Sequence, residues 1–231
     1  MKKFIFDGVS LMNGRPSNMD SLLIKQSNVG GCEALLSVVC DGVGSLCDGG
    51  FAAAMSARLL GEWFGSESTS LRIGMKMRNK ILDINALVMA ESARNNKNTA
   101  STLSALLLIE DKYYITHIGD SRVYSFCNKY NELSLITSDD VTSDGRLSAS
   151  IGRITGIIPQ YYEGNATKKT FLLCSDGLAN RMDDSYLSEK LQARISTEKD
   201  CKAILSSLSQ HVIDHGEKDN ISIALVRNVM I

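Results

Sequence analysis

Four times along this chain an apolar run has an aspartate at one end, and that recurrence constrains the fold more than any other feature. Val38-Val39-Cys40 runs into Asp41-Gly42, and Phe171–Ser175 runs into Asp176-Gly177. Ile115–Gly119 runs into Asp120, while Asp219-Asn220 immediately precedes Ile221–Val226. Short apolar runs bounded by turn residues read as buried strands. Any one Asp-Gly pair is explained as a turn, because both residues favour turn conformations. Four together say more: strands buried in one core have their ends close, so their carboxylates can converge.

The rest of the chain supplies the elements around those runs. Phe4–Val9, Ser21–Lys25 and Ala34–Cys40 read as strands, followed by a helix over Phe51–Phe64 with a face of small residues. Ser68-Thr69-Ser70 offers caps for a second helix, in which Met77, Ile81, Ile84 and Val88 form an apolar stripe. Asn95–Asn98 ends it. Leu103–Ile109, Tyr113–Ile118, Val123–Cys127 and Leu133–Ile136 read as two hairpins, and Ile157–Ile158 and Thr170–Cys174 as further strands. Thr137–Gly145 reads as a polar surface loop. Asp183 or Asp184 caps a helix to about Ile195, and Cys201, Ile204, Leu205, Leu208 and Val212 stripe the last helix. Strands and helices come in batches, which predicts an α+β fold with mainly antiparallel sheets. No repeat or Pro-rich linker divides residues 1–231, so a single domain is expected.

Composition narrows the function. A chain of 231 residues with 44% hydrophobic and 22% charged residues is globular and forms a core without staples. Twenty-five basic against 26 acidic residues give a net charge of −1, so nucleic acid is not an expected partner. Apolar runs such as Ala105–Ile109 are far too short to cross a bilayer. The opening Met1-Lys2-Lys3-Phe4-Ile5-Phe6 is cut off by Asp7, short of the about 7–15 apolar residues of an export signal. A cytoplasmic chain is expected, with no membrane partner. The six cysteines (Cys32, Cys40, Cys47, Cys127, Cys174, Cys201) form no CxxC pair and read as reduced, mostly buried thiols. His211 and His215 share a helical face and are expected to point to solvent.

Converging carboxylates repel one another and resist ionisation. A divalent cation resolves that conflict, and Mg²⁺ and Mn²⁺ prefer oxygen ligands. Gly42 lets the backbone approach such an ion, so its carbonyl can also serve. In the segment Arg15–Ser21, Arg15 carries a planar fork that suits phosphate oxygens. An oxygen-ligated metal cluster with an arginine beside it points to phosphoryl chemistry.

Taken in order, these residues resemble the metal-dependent protein phosphatases of type 2C (the PPM family). Arg15-xx-Asn18-x-Asp20-Ser21 is similar to the family's RxxNxDS element, and Val39-Cys40-Asp41-Gly42-Val43-Gly44 to its VxDGxG element. Asn98–Thr102 stands where the family has a Gly-Thr-Thr strand start. Gly119-Asp120-Ser121-Arg122-Val123-Tyr124 matches GDSRxY, and Ser175-Asp176-Gly177 and Asp219-Asn220 complete the set. The resemblance implies a β-sandwich of two mainly antiparallel sheets flanked by helices on both outer faces, four layers in the order α/β/β/α. It implies two Mg²⁺ or Mn²⁺ ions, with Asp41 bridging, the Gly42 carbonyl as a ligand, and Asp176 and Asp219 on the other ion. Asp20 would support the pair, Asp120 would bind a third, weaker ion, and Arg15 would hold the substrate phosphate.

The chain departs from the family at several points. Val43 replaces a histidine proposed as general acid in many members, Ser45 replaces a glycine, and Asp140 stands where a histidine is common. The flap segment Asp139–Arg153 is short. The expected function is hydrolysis of phosphoserine and phosphothreonine in proteins, the products of a Ser/Thr kinase, by a water activated between two ions. A catalytically silent phosphoprotein-binding relative and a phosphatase of small phosphoesters are the alternatives.

Overall fold

The computed structural model describes residues 4–46, 48–153 and 155–229. The Met1-Lys2-Lys3 opening and Cys47 therefore lie outside the described residues. Among the described residues, ten strands and five helices follow in the order β1 (Phe4–Leu11), β2 (Ser21–Val29), β3 (Cys32–Cys40), α1 (Gly49–Ser66), α2 (Ile73–Arg94), β4 (Leu103–Ile109), β5 (Lys112–Ile118), β6 (Arg122–Cys127), β7 (Glu132–Leu135), β8 (Gln160–Asn165), β9 (Lys169–Cys174), α3 (Asp176–Ala179), α4 (Asp184–Gln192), α5 (Glu198–Asp214) and β10 (Ile221–Asn228).

The strands form two five-stranded sheets, ordered β1-β10-β9-β6-β7 and β2-β3-β4-β5-β8, and every pairing is antiparallel. Alternation along β3 explains the layering. Leu35 and Val39 face the opposite sheet, meeting Phe4, Phe171, Leu173 and Val226 in the central core. Leu36, Val38 and Cys40 face the other way, against α1 and α2 through Leu60, Phe64, Met77 and Ile81. On the other sheet Leu172, Cys174, Ile223 and Leu225 pack against Leu187, Leu205 and Leu208 of α4 and α5. Central strands are thus apolar on both faces, which is why they read as continuous runs rather than alternating ones. The expected four-layer sandwich is the observed fold.

Local differences have local causes. The N-cap of α2 is Arg72, in the left-handed region at φ 54°, and no side chain caps it; Thr69 Oγ1 instead accepts from Leu71 N–H. Ile157–Ile158 is not a strand. The strand there is β8, starting at Gln160, a half-exposed edge pairing only with β5. The last stretch expected in α4 is non-helical, since the helix ends at Gln192. Asp183 does cap it, accepting from Ser185 N–H at 2.8 Å. Cys40, Cys174 and Cys201 are buried free thiols, with Cys32 and Cys127 half-buried. His211 is not simply solvent-facing: its ring stacks on Tyr186 at 4.0 Å between centroids. Among the described residues no helix is long and apolar enough to cross a membrane.

Candidate active site

The four strand-end aspartates meet at one edge of the sandwich. A cavity of about 490 Å³ is lined by Asp41, Asp120, Asp176 and Asp219, together with Arg15, Gly42, Val43 and Thr102. Asp20 sits behind it, beside Ser175 and Ser222.

Each carboxylate is placed by its own local structure. Asp41 follows β3 and is locked to the start of β4: Thr102 Oγ1 accepts from Asp41 N–H at 2.9 Å, and Asp41 O accepts from Thr102 N–H at 2.9 Å. Asp176 is the first residue of α3, where a carboxylate is favoured. That chain reversal requires Gly177, because a Cβ there would lie 2.0 Å from the Asn220 carbonyl oxygen. Gly42 is equally tight, since a Cβ would lie 2.6 Å from Met19 O and from Gly49 C. The loop before β2 is pinned by Asn220. Its amide donates to Met12 O at 2.8 Å and Ser17 O at 3.0 Å, and its carbonyl accepts from Met19 N–H at 2.9 Å.

Electrostatics divide the cavity. Burial first, then the charges of Asp20 and Asp176, push the Asp41 carboxyl well above the ordinary carboxylate range. Asp41 and Asp176 are hydrogen-bonded to each other, and burial raises both carboxyls above the ordinary range. Burial, reinforced by the charge of Asp176, raises Asp120 to about 6. Asp20 is raised to about 6 by burial, against hydrogen bonds from Ser222 and Ser175, and its Oδ2 is buried without a hydrogen-bond partner. At the rim, Asp219 is different: burial opposes its charge, yet the hydrogen bond from Arg15 carries its pKa below the ordinary value. Arg15 grips it with both arms of the guanidinium, Nε to Oδ1 at 2.8 Å and Nη2 to Oδ2.

A buried carboxylate oxygen lacking a donor, two crowded carboxyls that burial makes hard to ionise, and a cradle only glycine fits together suit hard divalent cations bound by oxygen. Among the described residues no three His, Cys, Asp or Glu side chains already surround one point. The acids stand as pairs and singles around a shared space, an arrangement that leaves coordination positions to backbone carbonyl and water.

The expected residues Arg15, Asp41, Gly42, Asp120, Asp176 and Asp219 all line the cavity, with Asp20 against it. Arg15 reaches it from the mouth and there faces Asp219. Sequence reasoning missed Thr102, Asn220 and the role of Asp140. Thr102 Oγ1 also meets Ser121 Oγ at 2.7 Å, so one hydroxyl joins the ends carrying Asp41 and Asp120. The Asn following Asp219 was the available signal for Asn220, and the Asn98–Thr102 strand start was the signal for Thr102, though neither revealed the contact it makes.

Comparison with known proteins agrees. The family described as Protein phosphatase 2C matches residues 13–213. The serine/threonine phosphatase stp of Listeria welshimeri serovar 6b is 27% identical over 220 residues, covering 84% of each chain. Among solved structures, serine/threonine phosphatase Stp1 from Staphylococcus aureus superposes with a TM-score of 0.85 at 22% identity, over 96% of this chain and 94% of that one. The catalytic domain of serine threonine protein phosphatase PstP, in complex with two manganese ions, gives 0.80 at 22% identity over 97% of both chains. Fold, cavity and a match across most of the chain lead to one conclusion: the chain belongs to the protein phosphatase 2C family, the metal-dependent serine/threonine protein phosphatases.

Proposed function

We propose that the cavity holds two Mg²⁺ or Mn²⁺ ions, with Asp41 shared by both, the Gly42 carbonyl on one, and Asp176 and Asp219 on the other. Asp20 supports the pair from behind, and Asp120 takes a third, weaker ion. The substrates are phosphoserine and phosphothreonine in proteins, placed there by a Ser/Thr kinase. The family match over residues 13–213 supports reading residues 1–231 as one catalytic domain. Divalent cations bound there supply an acidified water and neutralise charge on the phosphoryl group during in-line attack.

The chain's own groups do the rest. Burial and mutual repulsion make Asp41 and Asp176 hard to ionise, and a bound cation would offset that repulsion. Arg15 projects over the mouth with its fork already planar against Asp219, and a phosphate dianion offers that fork the same paired oxygens. Val43 lines the wall and carries no proton to give. The leaving alkoxide therefore takes its proton from water in the cavity.

The observation that carries this reading is the convergence of Asp41, Asp120, Asp176, Asp219 and Arg15 on one cavity. The test is phosphopeptide turnover by metal-free protein, with added Mn²⁺ or Mg²⁺, beside a small aryl phosphate. Turnover should depend on added metal, vanish reversibly with chelator and favour the phosphopeptide. Full activity in excess chelator would overturn the metal reading, and preference for the aryl phosphate would overturn the substrate class.

A further inference from the structure

Thr102 holds the Asp41 peptide and Arg15 the Asp219 carboxylate, whereas the carboxylate of Asp120 is favoured by its own backbone N–H and the nearby charge of Arg122. Its direction must come from the turn that carries it. That turn hinges on Gly119, at φ +110° and so close to Thr102 that a Cβ would lie 2.6 Å from its side chain. Both polar groups of Gly119 are held by one residue. Gly119 N–H donates to Asp140 Oδ2 at 2.9 Å, and Gly119 O accepts from Asp140 N–H at 2.7 Å. His117 adds a third bond, Nε2 to Gly119 O at 3.0 Å. Since a carbonyl only accepts, Nε2 carries the proton and Nδ1 faces Ser104 Oγ at 2.8 Å.

Asp140 is itself fixed. Its Oδ1 accepts from Gln160 Nε2 at 2.8 Å. The Gln160 amide cannot turn over, because it also donates to Ser138 O at 2.7 Å while its Oε1 accepts from Ser138 N–H at 3.1 Å and Tyr162 OH at 2.7 Å. The neighbouring Asp139 is taken by Arg122 at 2.8 Å, which leaves Asp140 alone to face Gly119. On its other side Asp140 O accepts from Ser148 N–H at 2.8 Å, closing the loop in which Val141 bridges Leu147. Leu147 lines the same cavity as Asp120.

We propose that Asp140 is a positioning residue for Asp120: it fixes the Gly119 peptide, and with it the direction in which the Asp120 carboxylate enters the cavity, and ties that direction to loop 141–147. The proposal rests on the reading of Asp120 as ligand of the weaker ion. Partners that orient a metal ligand typically change affinity about 10–100-fold when removed.

The experiment compares wild type, Asp120→Ala, Asp140→Ala, Asp140→Asn, Gln160→Ala and the Asp120→Ala/Asp140→Ala double variant. Mn²⁺ is titrated calorimetrically into metal-free protein, phosphopeptide turnover is followed against Mn²⁺ concentration, and exchange of the Gly119 amide is measured without metal. Asp140→Ala should weaken only the weaker Mn²⁺ site, by about tenfold, and raise the Mn²⁺ needed for half-maximal turnover equally. It should also speed Gly119 exchange and leave kcat at saturating Mn²⁺ near wild type. Asp140→Asn keeps one acceptor for Gly119 but sets an NH₂ against Gln160, so its shift should be smaller, as should that of Gln160→Ala; these two carry the test if Asp140→Ala does not fold. The double variant should be no worse than Asp120→Ala. An unchanged weak site in Asp140→Ala, with that site lost in Asp120→Ala, would overturn the positioning role alone. A weak site and turnover left intact by Asp120→Ala would overturn the reading of Asp120 and the proposal with it.

Discussion

The inner and outer halves of the cavity use the same side chain in opposite electrostatic states. Inside, Asp41 and Asp176 are crowded with Asp20 and Asp120, and burial drives their pKa values up. At the rim, Asp219 keeps its charge because Arg15 stands beside it, with side-chain exposures of 34% and 51%. One half lacks positive charge and the other already holds some. A site of this kind stores repulsion among its inner acids and keeps its permanent cation at the mouth.

The comparison breaks most sharply at Asp41. Asp41→Asn removes the acid with the strongest demand for a cation while preserving shape. Turnover should fall at least about 10²–10³-fold, and Mn²⁺ binding should weaken by calorimetry. An Asn variant that retained wild-type turnover would mean that the inner half is not the catalytic half.

A smaller effect is expected at the rim. Arg15→Ala removes one charge-assisted contact worth about 1.5–3 kcal/mol, or roughly ten- to a hundredfold in kcat/KM for phosphopeptide. Because the inner acids are untouched, Mn²⁺ affinity should stay near wild type. Unchanged kcat/KM would reduce Arg15 to a partner of Asp219.

The smallest effect is on stability. Asp20 and Asp120 have folded pKa values of about 6, above those of an unfolded chain. The native state therefore binds more protons between about pH 4 and 6. That contribution is complete below the unfolded value and is lost as pH rises through about 6. The Tm of metal-free protein should fall by a few degrees between pH 5 and 7.5, and Mn²⁺ should restore it most at the higher pH. A metal-free Tm that rose across that range would show the inner half to be charge-balanced by the protein itself.

The layered fold and the acids at strand ends were legible because burial on both faces makes strands such as β3, β4 and β9 continuous apolar runs. Strand β8 was not. Gln160-Tyr161-Tyr162-Glu163 lies on an open edge where burial imposes no pattern. Helix α3 was hidden because four residues give no helical period, and Asp176-Gly177 reads equally as a turn. Arg72 could not be foreseen as a cap, since its side chain does no capping. Of the site, the acids declared themselves, but the residues that aim them did not. Thr102 acts on Asp41 across 61 positions, Asn220 on Met12 across 208, and Asp140 on Gly119 across 21. Such contacts leave no local trace.

The Asn220 clamp has a consequence for the order in which the enzyme comes into being. Residues 12–20 are tied down by a side chain made about 200 positions later, and β10 inserts between β1 and β9 rather than adding at an edge. Chain-spanning pairings of this kind delay folding, because the loop must close before any contact rewards it. On the ribosome, helices α1 and α2 and the sheet they cover can assemble while the other sheet still lacks β10, the strand between β1 and β9. Until β10 docks, Asp219 and Arg15 have not met. A nascent chain therefore cannot complete the cavity until Asp219 and β10 have emerged and docked.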